Sequence, residues 1–133
     1  MNHADNDIER LSKALSLNYQ PQDWGIINAD PRRILEFIRG AEVAGLSVAQ
    51  QYAMAELVLA SVNEQLLKSR LSTSEEQAFK VFLRSTLNGL SSQIRYWSNL
   101  RNSEEFPISA YLNELGIGRS DAEEDSEDSM AGS

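Results

Sequence analysis

The sequence predicts an all-α fold: a single-domain bundle of four main helices plus a short C-terminal helix, followed by a disordered acidic tail. Apolar residues recur every three or four positions through most of the 133 residues, which is the period of a helix with one buried face. No segment alternates apolar and polar residues over a length typical of a strand. Polar N-cap residues and glycines stand where the helical patterns begin and end, so the local and periodic patterns agree.

The first predicted helix covers residues 4–16, which carry apolar side chains at helical spacing. Residues 18–29 contain a proline, a glycine and two asparagines, and we predict a loop there. Trp24 in this loop has two interpretations. It either packs in the core and pins the loop to the bundle, or it stays partly exposed and anchors a binding partner.

The second and third helices have clear boundaries in the sequence. Asp30 is a good N-cap, Pro31 suits the first helical position, and Gly45 predicts the end of the second helix. Ser47 caps a third helix that runs to about Lys68 and is apolar on nearly every side in its middle. A helix of that composition is typical of the buried centre of a bundle.

The fourth helix begins at one of the hydroxyl residues at positions 72–74. A polar loop at 99–107 follows it, and Ser109 is predicted to open the short final helix, which two glycines close. We expect the fourth helix to lay one continuous apolar stripe against the third, formed by Phe79, Phe82, Leu83, Leu87, Leu90, Ile94 and Trp97.

The charge distribution divides the chain into a predicted domain, residues 1–119, and a predicted disordered tail, residues 120–133. The net charge is −8; the tail carries six acids and no base, whereas the rest has 14 acids and 12 bases. The negative net charge disfavours nucleic acid and anionic membranes as partners and is compatible with binding to a basic protein. No apolar run approaches the roughly 18–20 residues of a membrane span, and no secretion signal precedes the domain, which predicts a cytoplasmic protein.

The residues that usually carry catalysis are scarce. The chain has no cysteine and one histidine, His3, close to the terminus, so neither a Cys or Ser nucleophile with a positioned base nor a zinc site is expected. The adjacent pair Glu75-Glu76 is a poor metal site, because neighbouring helical residues point about 100° apart. The pair Glu104-Glu105 is expected to be solvated in its loop. We therefore predict a protein that is not an enzyme and has no catalytic residue, metal or cofactor.

Three stretches together resemble a known group of proteins. They are Asp23-Trp24 with the later run Arg33–Ile38, the stretch Ala55–Ser61, and Tyr96-Trp97-Ser98. The set is similar to small all-helical bacterial immunity proteins of polymorphic toxin systems, over about residues 20–115. The resemblance implies that the chain binds and neutralises a cognate antibacterial toxin by protein–protein contact, with no catalysis of its own.

The resemblance supplies a role and no site, and on physical grounds we expect the contact residues in the two polar loops. Asp23 and Trp24 in one loop, and Glu104 and Glu105 in the other, would form an aromatic anchor with carboxylates suited to a basic toxin. The alternatives are a helical adaptor, a secretion chaperone or a regulatory subunit that binds another protein, and an enzyme that uses carboxylates and a metal. The apolar surface also leaves a homodimer open.

Overall fold

The computed structural model of the protein describes residues 3–19, 23–99 and 105–115 and shows the all-α fold that the sequence predicts. The predicted tail, residues 120–133, lies outside these ranges. One short helix appears where a loop was predicted. The elements in chain order are α1 (His3–Leu15), α2 (Trp24–Ile27), a 3₁₀ turn (Pro31–Arg33), α3 (Ile34–Ala41), α4 (Val48–Lys68), α5 (Thr73–Ser98) and α6 (Pro107–Glu114).

Helix α4 is the centre of the fold, as predicted, and every other described helix contacts it. Ser47 fixes its start: the Ser47 side chain accepts the backbone N–H of Gln50, and the Gln50 side chain accepts the backbone N–H of Ser47. This reciprocal cap satisfies two backbone donors that a helix otherwise leaves unpaired. Beyond the second turn α4 is buried on nearly all sides, through Met54, Ala55, Leu57, Val58, Leu59, Ala60, Ser61, Val62 and Asn63.

Helix α5 runs back along α4. Of the three predicted caps, Ser72 is the one used, and it forms the same reciprocal bonds with Glu75. The Gln93 amide near the end of α5 donates to the carbonyl of Tyr52 near the start of α4 at 3.2 Å, so the two helices are antiparallel. The described part of the predicted stripe is buried: Phe79, Phe82, Leu83 and Trp97. The side chains of Leu87, Leu90 and Ile94 lie outside the described part of the chain.

Helix α3 starts as predicted and ends earlier than predicted. The Asp30 carboxylate accepts the backbone N–H of Arg32 at 2.9 Å, which confirms the N-cap, although the first turn is 3₁₀. The helix ends at Ala41, and Gly45 lies in the following loop with φ of 87°. This left-handed conformation favours glycine, which explains the residue type at this turn towards Ser47. Gly45 does not close α3, because the helix ends four residues earlier.

Helix α1 is attached to the bundle by the buried side chains Leu11 and Ser12 and by hydrogen bonds to other elements. Leu11 is buried in the common core. The Gln50 side chain of α4 donates to the carbonyl of Asp7 at 3.1 Å, and the Arg33 guanidinium donates to the carbonyl of Leu15 at 2.8 Å. These bonds hold the middle and the C-terminal end of α1 against two different elements.

Helix α6 begins two residues before the predicted start. Pro107 occupies its first turn, a position where a missing N–H costs nothing. The prediction that Ser109 caps this helix was wrong, because its hydroxyl donates to the carbonyl of Trp97 at 2.6 Å. Ser109 therefore links α6 to the end of α5 through a tertiary hydrogen bond.

Asn63 of α4 replaces the missing cap of α6. The N-cap residue Phe106 makes no side-chain cap bond. The Asn63 side-chain oxygen accepts the backbone N–H of Ile108 at 3.1 Å, and its amide donates to the carbonyl of Glu105 at 2.9 Å. At 6% exposure, this side chain has little access to water, so both bonds matter for stability.

We expect Asn63→Ala to lower the free energy of unfolding by about 2 kcal/mol or more, because it leaves a buried N–H and a carbonyl without partners. Urea titration followed by circular dichroism measures the change. Glu64→Ala, at the exposed neighbouring position, is the control and should stay within about 0.5 kcal/mol of the wild type. Equal effects of the two substitutions would contradict this role of Asn63.

Candidate functional site

The predicted Asp23-Trp24 contact point forms the start of α2, and its tryptophan is buried. Trp24 is 4% exposed, and its indole N–H donates to the Ser12 hydroxyl at 2.8 Å. The Ser12 hydroxyl donates in turn to the carbonyl of Ile8 at 3.0 Å. Of the two interpretations of Trp24, the burial supports core packing, which pins α2 to α1.

Gly25 brings α2 into very close contact with α4. Its backbone N–H donates to the Glu56 carboxylate at 3.0 Å. A Cβ atom at this position would stand 2.7 Å from the Glu56 Cγ and 2.8 Å from the backbone nitrogen of Leu57. Only glycine lets the two backbones approach this closely without a shift.

The Glu56 carboxylate is in an unfavourable place for a charge. Burial raises the pKa of Glu56, and the nearby Asp23 charge raises it further, whereas the hydrogen bond from Gly25 opposes the shift. Asp23 itself is exposed and has a left-handed backbone, with φ of 55°. A non-glycine residue in that region is uncommon, so the turn into α2 combines a constrained backbone with two neighbouring carboxylates.

Asn28 closes the other end of α2. Its amide donates to the carbonyls of Asn18 and Trp24, and its side-chain oxygen accepts the backbone N–H of Asn18 at 3.1 Å. The side chain is buried. These three bonds join the segment after α1 to the end of α2, so the predicted loop has defined tertiary contacts on both sides.

The second predicted contact point, Glu104-Glu105, contacts α4 through Asn63, two helical turns after Glu56. The carbonyl of Glu105 accepts from Asn63, and Glu105 is exposed; Glu104 lies outside the described residues. Positions 56 and 63 are seven residues apart, so they lie on one side of α4, about 10 Å apart along its axis. The structure thus places Gly25 and Glu105 on the same side of α4, and the role of the two predicted contact points stays a prediction.

Within the described ranges, no three Asp, Glu, His or Cys side chains come together in a way that would hold a metal ion. The Tyr111 hydroxyl donates to the Glu76 carboxylate at 3.0 Å. Burial, followed by that hydrogen bond, raises the pKa of Tyr111, so the phenol stays protonated at neutral pH. This pair links α6 to α5, and the absence of an active site stays a prediction.

A surface that the sequence analysis missed lies where α4 begins and α5 ends. Val48 is 73% exposed, Tyr52 is 41% exposed and Tyr96 is 63% exposed. The bond from Gln93 to the Tyr52 carbonyl places both tyrosines at this end of the helix pair. The sequence could have indicated that the first turns of α4 are exposed, since the glutamines at positions 50 and 51 show that the fully buried part of the helix begins after them.

An apolar groove lies on another side of α4, between α1 and the end of α3. Its volume is about 270 Å³. Gly40 lies in its wall, where an added Cβ would come 3.0 Å from the mobile end of Met54, the Cε methyl. The groove is lined by Arg10, Leu11, Ala14, Leu15, Gly40, Val43, Leu46, Gln50 and Met54.

Comparison with known protein families identifies the chain through the segment that holds its last three described helices. The family described as Mechanosensitive ion channel MscS, C-terminal, matches residues 45–117, which is more than half of the chain. The chain belongs to the MscS C-terminal family. The matched segment begins at Gly45 and takes in α4, α5 and α6. No curated protein and no solved structure matches the chain.

Membership of the MscS C-terminal family corrects the immunity-protein prediction. The resemblance to immunity proteins was wrong, and so was the toxin-neutralising function. The alternative of an adaptor, a chaperone or a regulatory subunit is not supported by the family match either. The stretch Ala55–Ser61 is mostly fully buried, and Trp97 packs in the same core. Any central helix of a bundle needs such side chains at such spacing. The likeness of these stretches to immunity proteins therefore reflects their burial and does not indicate a family.

No helix among the described residues of this MscS-family chain combines the length and the hydropathy that crossing a bilayer requires.

We expect Gly25→Ala to lower the free energy of unfolding by about 1–3 kcal/mol, because the new methyl meets the backbone of α4. Gly40→Ala is the matched control. There the methyl meets only the flexible end of Met54 and gains helix propensity, so the change should stay within about 1 kcal/mol. Urea unfolding of both variants tests the difference, and similar losses would contradict the close-approach argument.

We expect Glu56→Gln to stabilise the protein at pH 7 and to have little effect at low pH. The raised pKa means that the folded state keeps the proton where the unfolded chain, with an ordinary value of 4.5, releases it. The stabilising contribution of protonated Glu56 is therefore fully present below the unfolded-state pKa of 4.5, and it is lost as the pH rises through the raised pKa of the folded state. Unfolding free energies at pH 4 and pH 7 test this, with exposed Glu64→Gln as the control.

A Glu56→Gln variant with the same gain in stability at both pH values would show that packing, and not the charge, causes the effect.

Proposed function

We propose that this chain is a non-catalytic protein-contact domain of a mechanosensitive channel of the MscS type, and that it works in the cytoplasm. The observation that carries the proposal is the family match over residues 45–117, which spans the helices that build most of the core. A domain outside the bilayer also agrees with the lack of a membrane-crossing helix among the described residues.

The contact that we propose is between copies of this chain, through the surface formed by Val48, Tyr52 and Tyr96. This surface lies inside the family-matched segment. Its three side chains are uncharged, so two copies can meet across it without burying a charge. Tyrosine suits such a contact because it offers a large apolar ring and a hydroxyl that can hydrogen-bond. The same surface on both copies makes a symmetric dimer the simplest arrangement.

We expect Val48→Asp to weaken self-association, because it places a charge at the most exposed apolar position of this surface. Sedimentation velocity over a range of concentrations measures the dimer fraction. Val81→Asp is the matched control, since Val81 is also an exposed valine, at 53%, but lies on the side of α5 that faces α3. A wild type that stays monomeric, or an equal loss in both variants, would rule out this surface.

The channel role is tested in cells that carry the gene at its native locus. Deleting the gene should lower survival of hypo-osmotic shock and change the tension at which membrane patches conduct. The wild type and Val81→Asp should restore both measurements, and Val48→Asp should not. Unchanged survival and unchanged patch currents after deletion would show that the channel role is wrong.

A further inference from the structure

A small basic recess lies between the first half of α5 and the end of α6. Its volume is about 220 Å³, and it is lined by Lys80, Leu83 and Arg84 of α5 and by Leu115, which follows α6. Leu83 is 1% exposed and forms an apolar wall, whereas Arg84 is exposed. Lys80 and Arg84 are four residues apart in one helix, so they stand on the same face and present two cations together.

The two cations of the recess belong to none of the ion pairs that the described residues form with one another. Those pairs are Arg32 with Asp30 and Arg33 with Glu36, at the start of α3. The recess therefore offers positive charge beside apolar walls, which suits a segment that carries carboxylates.

The chain itself continues from the edge of this recess with an acidic segment. Leu115 lines the recess, and the six acids of residues 121–128 follow it without an intervening acid. The six-residue step from Leu115 to Asp121 spans up to about 20 Å when extended. The acids can therefore reach Lys80 and Arg84, and the short connection gives them a high effective concentration at the recess.

We propose that residues 121–128 of this chain bind the recess through contacts between their carboxylates and Lys80 and Arg84. Each exposed ion pair is weak and is screened by salt, so the segment exchanges between a bound and a free state. Binding would cover part of α5 and α6 and would compete with any other acidic ligand for the same two cations. This inference does not depend on the proposed channel role.

The lack of cysteine makes a direct test practical. A nitroxide label on Ser126→Cys in the full chain should broaden the amide NMR signals around Lys80, Arg84 and Leu115 at roughly 20 mM salt. The broadening should largely disappear at roughly 500 mM salt, where charges are screened within a few ångströms. Broadening at other sites only, or none, would overturn the proposal.

Charge reversal tests the same contact. Lys80→Glu with Arg84→Glu should remove the broadening, and the milder Lys80→Gln with Arg84→Gln should reduce it at least severalfold. Lys68→Glu with Arg70→Glu, which reverses two exposed cations at the end of α4, should leave it unchanged. Persistence of the broadening in both recess variants would refute the contact.

A mixed sample shows whether the bound acidic segment belongs to the same chain or to a second copy. One half of the sample carries the nitroxide label and no ¹⁵N, and the other half carries ¹⁵N and no nitroxide. Little broadening in the mixture supports binding within one chain. Broadening as strong as in the singly labelled protein would mean that the segment binds a second copy, which overturns the proposed arrangement.

Discussion

The burial of α4 on nearly all sides is the constraint on which the rest of the structure depends. A polar side chain there needs a hydrogen-bond partner, because a buried group without one costs about 1–3 kcal/mol. Glu56 pairs with the N–H of Gly25, Ser61 with the N–H of Asp30, and Asn63 with the chain on both sides of Pro107. Each partner belongs to a different element, so α4 decides where α2, α3 and α6 begin.

This arrangement separates the surfaces that are open to partners. Val48, Tyr52 and Tyr96 lie where α4 begins and α5 ends, whereas Arg84 lies twelve residues before Tyr96 in α5, about 18 Å along the helix. Contact between copies and binding of the acidic segment therefore use different parts of α5. One chain could engage in both, and the family-matched segment contains both surfaces.

The helices could be predicted from the sequence because their caps and periods are local properties. Asp30 and Ser47 cap the turns that they were expected to cap, and Ser72 is the one used of the three candidates at positions 72–74. The start of α6 could not be predicted, because its cap is an asparagine 45 residues away on α4. The family could not be predicted either, since the buried stretches that suggested immunity proteins have a spacing that any central helix requires.

By itself the sequence determined the helical class, the central place of α4 and the apolar faces, because helix periodicity and capping depend on residues within a few positions of one another. Only the tertiary structure decided that Trp24 is buried against Ser12, that Gly25 must be a glycine and that tyrosines remain exposed beside Val48. Those features depend on how closely distant segments approach. That distance is set by the packing of whole helices and by buried polar groups that must find partners.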